Sequence, residues 1–254
     1  MLKFSPANAK TKRLASIPAL AQYLDKKKKV YSLDLLSGWS CPGSLSCRSC
    51  VKTCNGKRTI QDGPHTQYRC FSASQEAVYT NVYNLRKHNF NLIKRSKNIV
   101  KLLCNSIPKN AGVIRFHVGG DFFNKHYFRA AIECAALNPH ILFYGYTKSL
   151  HILSELCESC DNLRKGVIRP NFLITASYGG RFDHLIPDLN IRSAKVIFSE
   201  NEAGELPIDH DDSHAAIIGG NFALLLHGPQ PKGKASKALR ELNGVGSYSR
   251  KVAV

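Results

Sequence analysis

The chain has 254 residues, 43% of them hydrophobic, and a formal net charge of +18. That apolar content over this length can supply a core without disulfide staples. No apolar run reaches membrane-spanning length, and no signal-peptide apolar region follows the basic start MLKFSPANAKTKR. The sequence therefore reads as cytosolic, and its charge invites a polyanionic partner.

Residues 1–29 read as a basic arm with a short helical piece from Leu14 to Leu24 and the run Lys26-Lys27-Lys28-Lys29. Residues 234–254 read as a basic tail. Through these two stretches a nucleic acid or other polyanion would dock. Val30–Leu36 is the first strand, ending at Ser37-Gly38-Trp39. Ser40–Cys70 follows and holds Cys41, Cys47, Cys50, Cys54 and Cys70, spaced C-x5-C-x2-C-x3-C with a lone fifth cysteine. Gly43, Gly56, Gly63 and Pro64 interrupt it, so a loop is expected.

From Ser72, a candidate helix cap, Val78, Val82, Leu85, Phe90, Ile93, Ile99, Val100 and Leu103 recur at helical spacing, with a break near Thr80-Asn81. Further strands are expected at 113–118, 141–146, 171–177, 194–198 and 222–226, with helical segments at 127–137, 150–163, 182–189 and 236–242. Residues 201–214 read as an exposed acidic loop.

Strands alternating with helices predict an α/β fold with a parallel sheet. An open doubly wound sheet competes with a partial (β/α)6 TIM-like barrel, expected as a single domain over residues 30–233. The second strand favours the barrel. Ile114, Phe116 and Val118 share one face, and Arg115, His117 and Gly119 share the other. A polar face suits a strand lining a ligand-holding interior.

Each strand ends in residues with chemical potential: the cysteines, Asp121, Lys148, Ser177, Glu200 and His227. In parallel α/β folds, sites gather beyond the carboxyl ends of the strands. His117, Gly119, Gly120, Asp121, Lys148 and Ser177 are the candidate pocket.

In a reducing compartment clustered thiols favour metal over disulfides. Fe–S clusters and structural zinc both use short-spaced cysteines. For a 4Fe–4S cluster, four thiolates close the coordination and three leave one iron open; the five cysteines of 41–70 permit either. Such a cluster carries electrons or presents an open iron to a small molecule. The alternative is a zinc-stabilised nucleic-acid-binding protein that pairs Cys47-x2-Cys50 with Cys157-x2-Cys160. Cys104 and Cys134 sit on apolar helical faces and read as core.

Two resemblances enter at these residues. SGWSCPGSLSC at 37–47, DGPHTQYRCFSASQEAVYTNV at 62–82, HVGGDFFNKHYFRA at 117–130, NPHILFYGYTKSL at 138–150 and FALLLHGPQPKG at 222–233 resemble the phage-encoded gene product 88 family. That resemblance implies a bacteriophage protein of the host cytoplasm, with Cys41, Cys47 and Cys70 at matching positions and Cys50 or Cys54 as an extra ligand; the ligands it implies for a 4Fe–4S cluster are Cys41, Cys47, Cys50 and Cys70, with Cys54 in reserve. The layout also resembles a radical SAM core, which places a cysteine loop after the first strand and a Gly-Gly-acidic motif, here Gly119-Gly120-Asp121, after the second. It implies a cubane cluster and admits S-adenosylmethionine as cofactor. The C-x3-C-x2-C spacing of that superfamily is absent here.

Overall fold

The computed structural model describes residues 1–25, 27–156 and 163–243. Six parallel strands form the frame: β2 (Lys29–Leu33), β5 (Ala111–Phe116), β6 (Leu142–Thr147), β8 (Phe172–Ser177), β9 (Ser193–Ile197) and β10 (Phe222–Leu225). They neighbour one another in strict chain order. The doubly wound alternative requires a reversal of strand order, and none occurs. Two short antiparallel strands complete the sheet: β1 (Ser5–Pro6) beside β2, and β7 (Val167–Arg169) beside β8. The sheet is open, with β1 and β10 at its edges. The architecture is thus a mixed α/β single sheet; no closure into a barrel is seen among the described residues.

The period-2 pattern sorts the strands into two faces. Leu33, Ile114, Phe116, Phe143, Phe172 and Ile174 pack under the helices α2 (Thr80–Arg95), α3 (Ile99–Ser106), α4 (Lys125–Leu137), α5 (Leu150–Leu156) and α6 (Leu185–Asp188). Asn98 and Asn124 cap α3 and α4 by accepting the Lys101 and Tyr127 backbone N–H groups at 2.9 and 2.8 Å. On the other face Val30, Val113, Leu142, Tyr144 and Leu173 pack against 3-10 turns at Thr11–Ser16 and Pro18–Leu20 and against α7 (Ser213–Ala216).

The N-terminal segment is therefore not a projecting arm. Leu2, Leu14 and Leu20 are buried, and Gly112 of β5 lies so close that a Cβ there would meet the Tyr23 carbonyl oxygen at 1.8 Å. The physical reason is that one face of the sheet would otherwise be bare. At the far edge α8 (Lys234–Glu241) seats Ala235 and Ala238 against Leu225 and Leu226, so the start of the expected tail is also packed.

The cysteine segment is not wholly a loop. β3 (Ser49–Cys54) and β4 (Lys57–Asp62) pair antiparallel across Asn55-Gly56, with φ of +48° and +74°. An Asn-Gly pair with both φ positive is the two-residue turn that matches strand twist. The long helical stretch splits into α1 (Phe71–Val78), α2 and α3, and Cys70 rather than Ser72 takes the cap position of α1.

Candidate functional site

The cysteine segment lies across the carboxyl ends of β6 and β8. The Ser46 backbone N–H donates to the Gly179 carbonyl at 2.9 Å, and that of Arg181 donates to the Gly43 carbonyl at 2.8 Å. A Cβ on Gly43 would meet the Lys148 carbonyl oxygen at 2.0 Å, so glycine is what lets the two backbones touch.

This docking brings Cys41, Cys47 and Cys70 within each other's electrostatic reach. Burial pushes the Cys70 thiol up to about 12, with Cys47 adding to the rise. Burial also pushes Cys41 well above the usual thiol range, and Asp121, Cys70 and Cys47 raise it further. Opposing this, the Ala73 and Ser72 backbone N–H groups at the start of α1 point at the Cys70 sulfur, and that of Gly38 points at Cys41. Backbone N–H groups directed at sulfur stabilise its anionic form. Tyr68 hydrogen-bonds Cys47, and Ser44 Oγ lies 3.8 Å from the Cys47 sulfur.

The other two cysteines of the segment stand apart. The Cys50 sulfur packs on Gly38, where a Cβ would lie 2.3 Å from it, and its charged neighbours are Arg48, Glu76 and Lys52. Cys54 is exposed at the end of the hairpin. Cys104 and Cys134 pair their sulfurs at 3.4 Å between α3 and α4, in keeping with a core role. Cys157 and Cys160 lie outside the described residues. Among the described residues no three His, Cys, Asp or Glu side chains are drawn together to hold a single metal ion.

Beside the thiols, the Gly-Gly-Asp motif closes the floor. Gly120 (φ +96°) would bring a Cβ to 2.6 Å from Ser40 Oγ, and Gly119 faces Ser72 and Arg86. The two glycines are there for close approach. Asp121 accepts the Thr147 hydroxyl and the Lys148 and Phe122 backbone N–H groups at 2.7–2.8 Å. Burial nonetheless lifts its carboxyl to about 6. Lys148 Nζ donates to the Ser177 hydroxyl at 2.7 Å and to the Ser177 and Tyr178 carbonyls. The expected trio of Asp121, Lys148 and Ser177 is therefore one connected group.

His117 is not part of it. β5 ends at Phe116, the alternation ends with it, and the imidazole turns into the helix layer. There it meets Phe122 edge-on and hydrogen-bonds Tyr127 Oη at 2.8 Å. Burial lowers its pKa to about 3, so it is neutral.

Behind the site, on the face covered by the N-terminal segment, sits a polar node that periodicity did not reveal. Asp212 accepts from Lys10 Nζ at 2.9 Å, from Arg115 Nη1, and from Tyr144 Oη at 3.1 Å. The 201–214 segment, expected as an exposed acidic loop, thus carries buried Asp209 and Asp212. The adjacent cations outweigh burial and hold Asp212 down at about 2. His227 packs at a tilt against Phe71, next to Cys70, with ring centres 4.6 Å apart, and senses the same charges; burial lowers it to about 4. Arg115 was legible as an inward polar residue; Lys10 and Asp212, from distant segments, were not.

No helix among the described residues is long and apolar enough to cross a membrane. No curated protein and no solved structure matches the chain, and nothing in the comparisons supports a radical SAM relationship. One family model does match, over residues 2–242 and so over the thiols, the Gly-Gly-Asp motif and the whole sheet: the chain belongs to the family described as Gene product 88.

Proposed function

We propose that this protein holds a 4Fe–4S cluster on Cys41, Cys47 and Cys70, with one iron left for a small ligand. The observation that carries the reading is convergence. Three free thiols, two from the 41–47 turn and one from beyond the hairpin, come within electrostatic reach of one another where parallel α/β folds place their sites. The donor set fits: soft sulfurs, half-buried, with backbone N–H groups aimed at two of them. Six parallel strands in chain order also match the strand order of a partial (β/α)6 barrel. Such a cluster would supply one-electron chemistry or a Lewis-acidic iron.

The chain's own residues would do the rest. Ser72, Ala73 and Gly38 N–H groups would balance sulfur charge. Asp121, at about 6, is poised to exchange a proton near neutral pH. Lys148 fixes the ends of β6 and β8 against each other. The zinc alternative needs Cys47 and Cys50 on one ion, and the Cys50 sulfur faces Gly38 instead.

Anaerobic reconstitution with iron and sulfide tests the proposal. We expect a brown protein absorbing near 400 nm (~400 nm is typical of thiolate-bound clusters), with iron and sulfide in equal amounts. Cys41→Ala, Cys47→Ala and Cys70→Ala should each lose most of the iron, while Cys50→Ala, Cys54→Ala and Cys134→Ala should keep it. Stoichiometric zinc without sulfide in the native protein would overturn the cluster. Equal iron loss in Cys50→Ala would overturn the open iron. Adding S-adenosylmethionine to the reduced protein and following its electron paramagnetic resonance spectrum asks whether that molecule is the ligand.

A further inference from the structure

Half of this molecule has almost no solvent-facing negative charge. Before residue 121 the chain contains four carboxylates, Asp25, Asp34, Asp62 and Glu76. Asp34 and Glu76 are buried, and Asp62 is tied to Arg69 at 2.5 Å. No Asp or Glu at all occurs between Glu76 and Asp121, whereas exposed Lys87, Lys94, Arg95, Lys97 and Lys101 do. The terminal stretches are thus not the only source of the positive charge.

The fold gathers part of this charge onto one surface. The β3–β4 hairpin lies against the junction of α1 and α2: Arg58 Nε donates to the Ala77 carbonyl at 3.2 Å and Arg58 Nη2 to Thr80 Oγ1 at 2.7 Å. Arg58 thereby joins Lys87 of α2, and exposed Lys94, two turns further on, shares the helical face of Lys87, whereas Lys52 and Lys57 project from the opposite face of the hairpin. Aromatic rings interleave with them. Tyr79 is 56% exposed at the junction. Tyr83 lies under both Arg58 and Lys87, at 5.6 and 5.7 Å from its ring centre. Trp39, 48% exposed, is anchored to the hairpin through its Nε1 donating to the Val51 carbonyl at 3.1 Å.

Exposed rings among unopposed cations are poorly suited to water and well suited to stacked bases beside phosphates. A duplex hides its base faces; a single strand offers them. We infer that the hairpin and the α1–α2 junction form a binding surface for single-stranded nucleic acid, with Arg58, Lys87 and Lys94 on phosphates and Tyr79 stacking on a base. The surface contains none of the three clustered thiols, so this proposal and the cluster proposal fail separately.

Fluorescence anisotropy of labelled dT20 with the full-length chain, over 50–300 mM salt, tests it. A 20-base-pair duplex and heparin serve as competitors. We expect dT20 to bind and to be displaced less readily by the duplex than by unlabelled dT20. Changing Lys87 and Lys94 together to Ser should make the slope of log K against log salt shallower by about 1.4, at roughly 0.7 per phosphate contact. Tyr79→Ala should weaken binding about tenfold with the slope unchanged. All three positions are solvent-exposed, so the thermal unfolding of both variants should match that of the native chain. A Lys232→Ser, Lys237→Ser variant in the C-terminal stretch should bind normally. No binding at 50 mM salt, equal displacement by duplex, or loss confined to the C-terminal variant would overturn the inference. So would Tyr79→Ala binding like the native chain.

Discussion

Replacing Asp212 with Asn tests whether the Lys10–Asp212–Arg115 node pins the N-terminal segment and the loop before α7 to the sheet. The change keeps side-chain size, and Asn tolerates the left-handed backbone found there (φ +67°). It leaves two cations buried against a neutral amide. Breaking a buried ion pair from one side costs about 3–5 kcal/mol. Ionisation offers an independent figure. A carboxyl held at about 2 in the fold, against about 3.9 in an unfolded chain, contributes on the order of 2–3 kcal/mol at neutral pH. A loss of about 3 kcal/mol satisfies both. At roughly 2–4 °C per kcal/mol for a domain of this size, Tm should fall by about 6–12 °C. Urea unfolding at pH 7 measures the free energy and calorimetry the temperature. The sign of the pH dependence follows from the depressed pKa: the contribution is complete above about 3.9 and is lost as pH falls through about 2. The gap between native and variant should therefore be flat from pH 7 to pH 5 and narrow only below about 4. A gap under about 1 kcal/mol at pH 7, the size of an ordinary single substitution, would refute the reasoning, as would a gap that closes between pH 7 and pH 5.

Leu14→Ala should cost about 2–5 kcal/mol, as truncation of a fully buried leucine does; denaturant titration showing under about 0.5 kcal/mol would mean that the N-terminal residues are a solvated arm after all. Gly120→Ala should destabilise by about 1–3 kcal/mol and lower bound iron, because φ +96° disfavours a side chain and the new methyl would crowd Ser40 and Leu35. Iron per chain and urea midpoint read this directly, and native values for both would show that the motif is not packed against the cysteine segment.

Much of the frame was legible because its signals are local. Five of the six parallel strands lie within two residues of their expected bounds and the first ends three residues early, at Leu33; buried β-branched and aromatic runs between Gly, Pro and Asn punctuation mark them. The faces of β5 were legible from alternation up to Phe116 and no further, because a strand's period says nothing beyond its last ladder bond. Hence Arg115 was placed correctly and His117 was not. The hairpin signal was present in Asn55-Gly56 between two alternating runs, but the cysteines drew the segment toward a loop reading.

The candidate centre divides along the same line. By itself the sequence determined the chemistry on offer: five thiols after the first parallel strand, a Gly-Gly-Asp motif after the second, and strand ends bearing Lys148 and Ser177. It could not choose among the thiols, because spacing constrains neighbours along the chain and not the direction of a side chain. Only the tertiary structure turned Cys50 onto Gly38 and brought Cys70, across the hairpin, to Cys41 and Cys47. It likewise joined Lys10, Arg115 and Asp212, whose pairing rests on the N-terminal segment and the loop before α7 burying the sheet face opposite α2–α6.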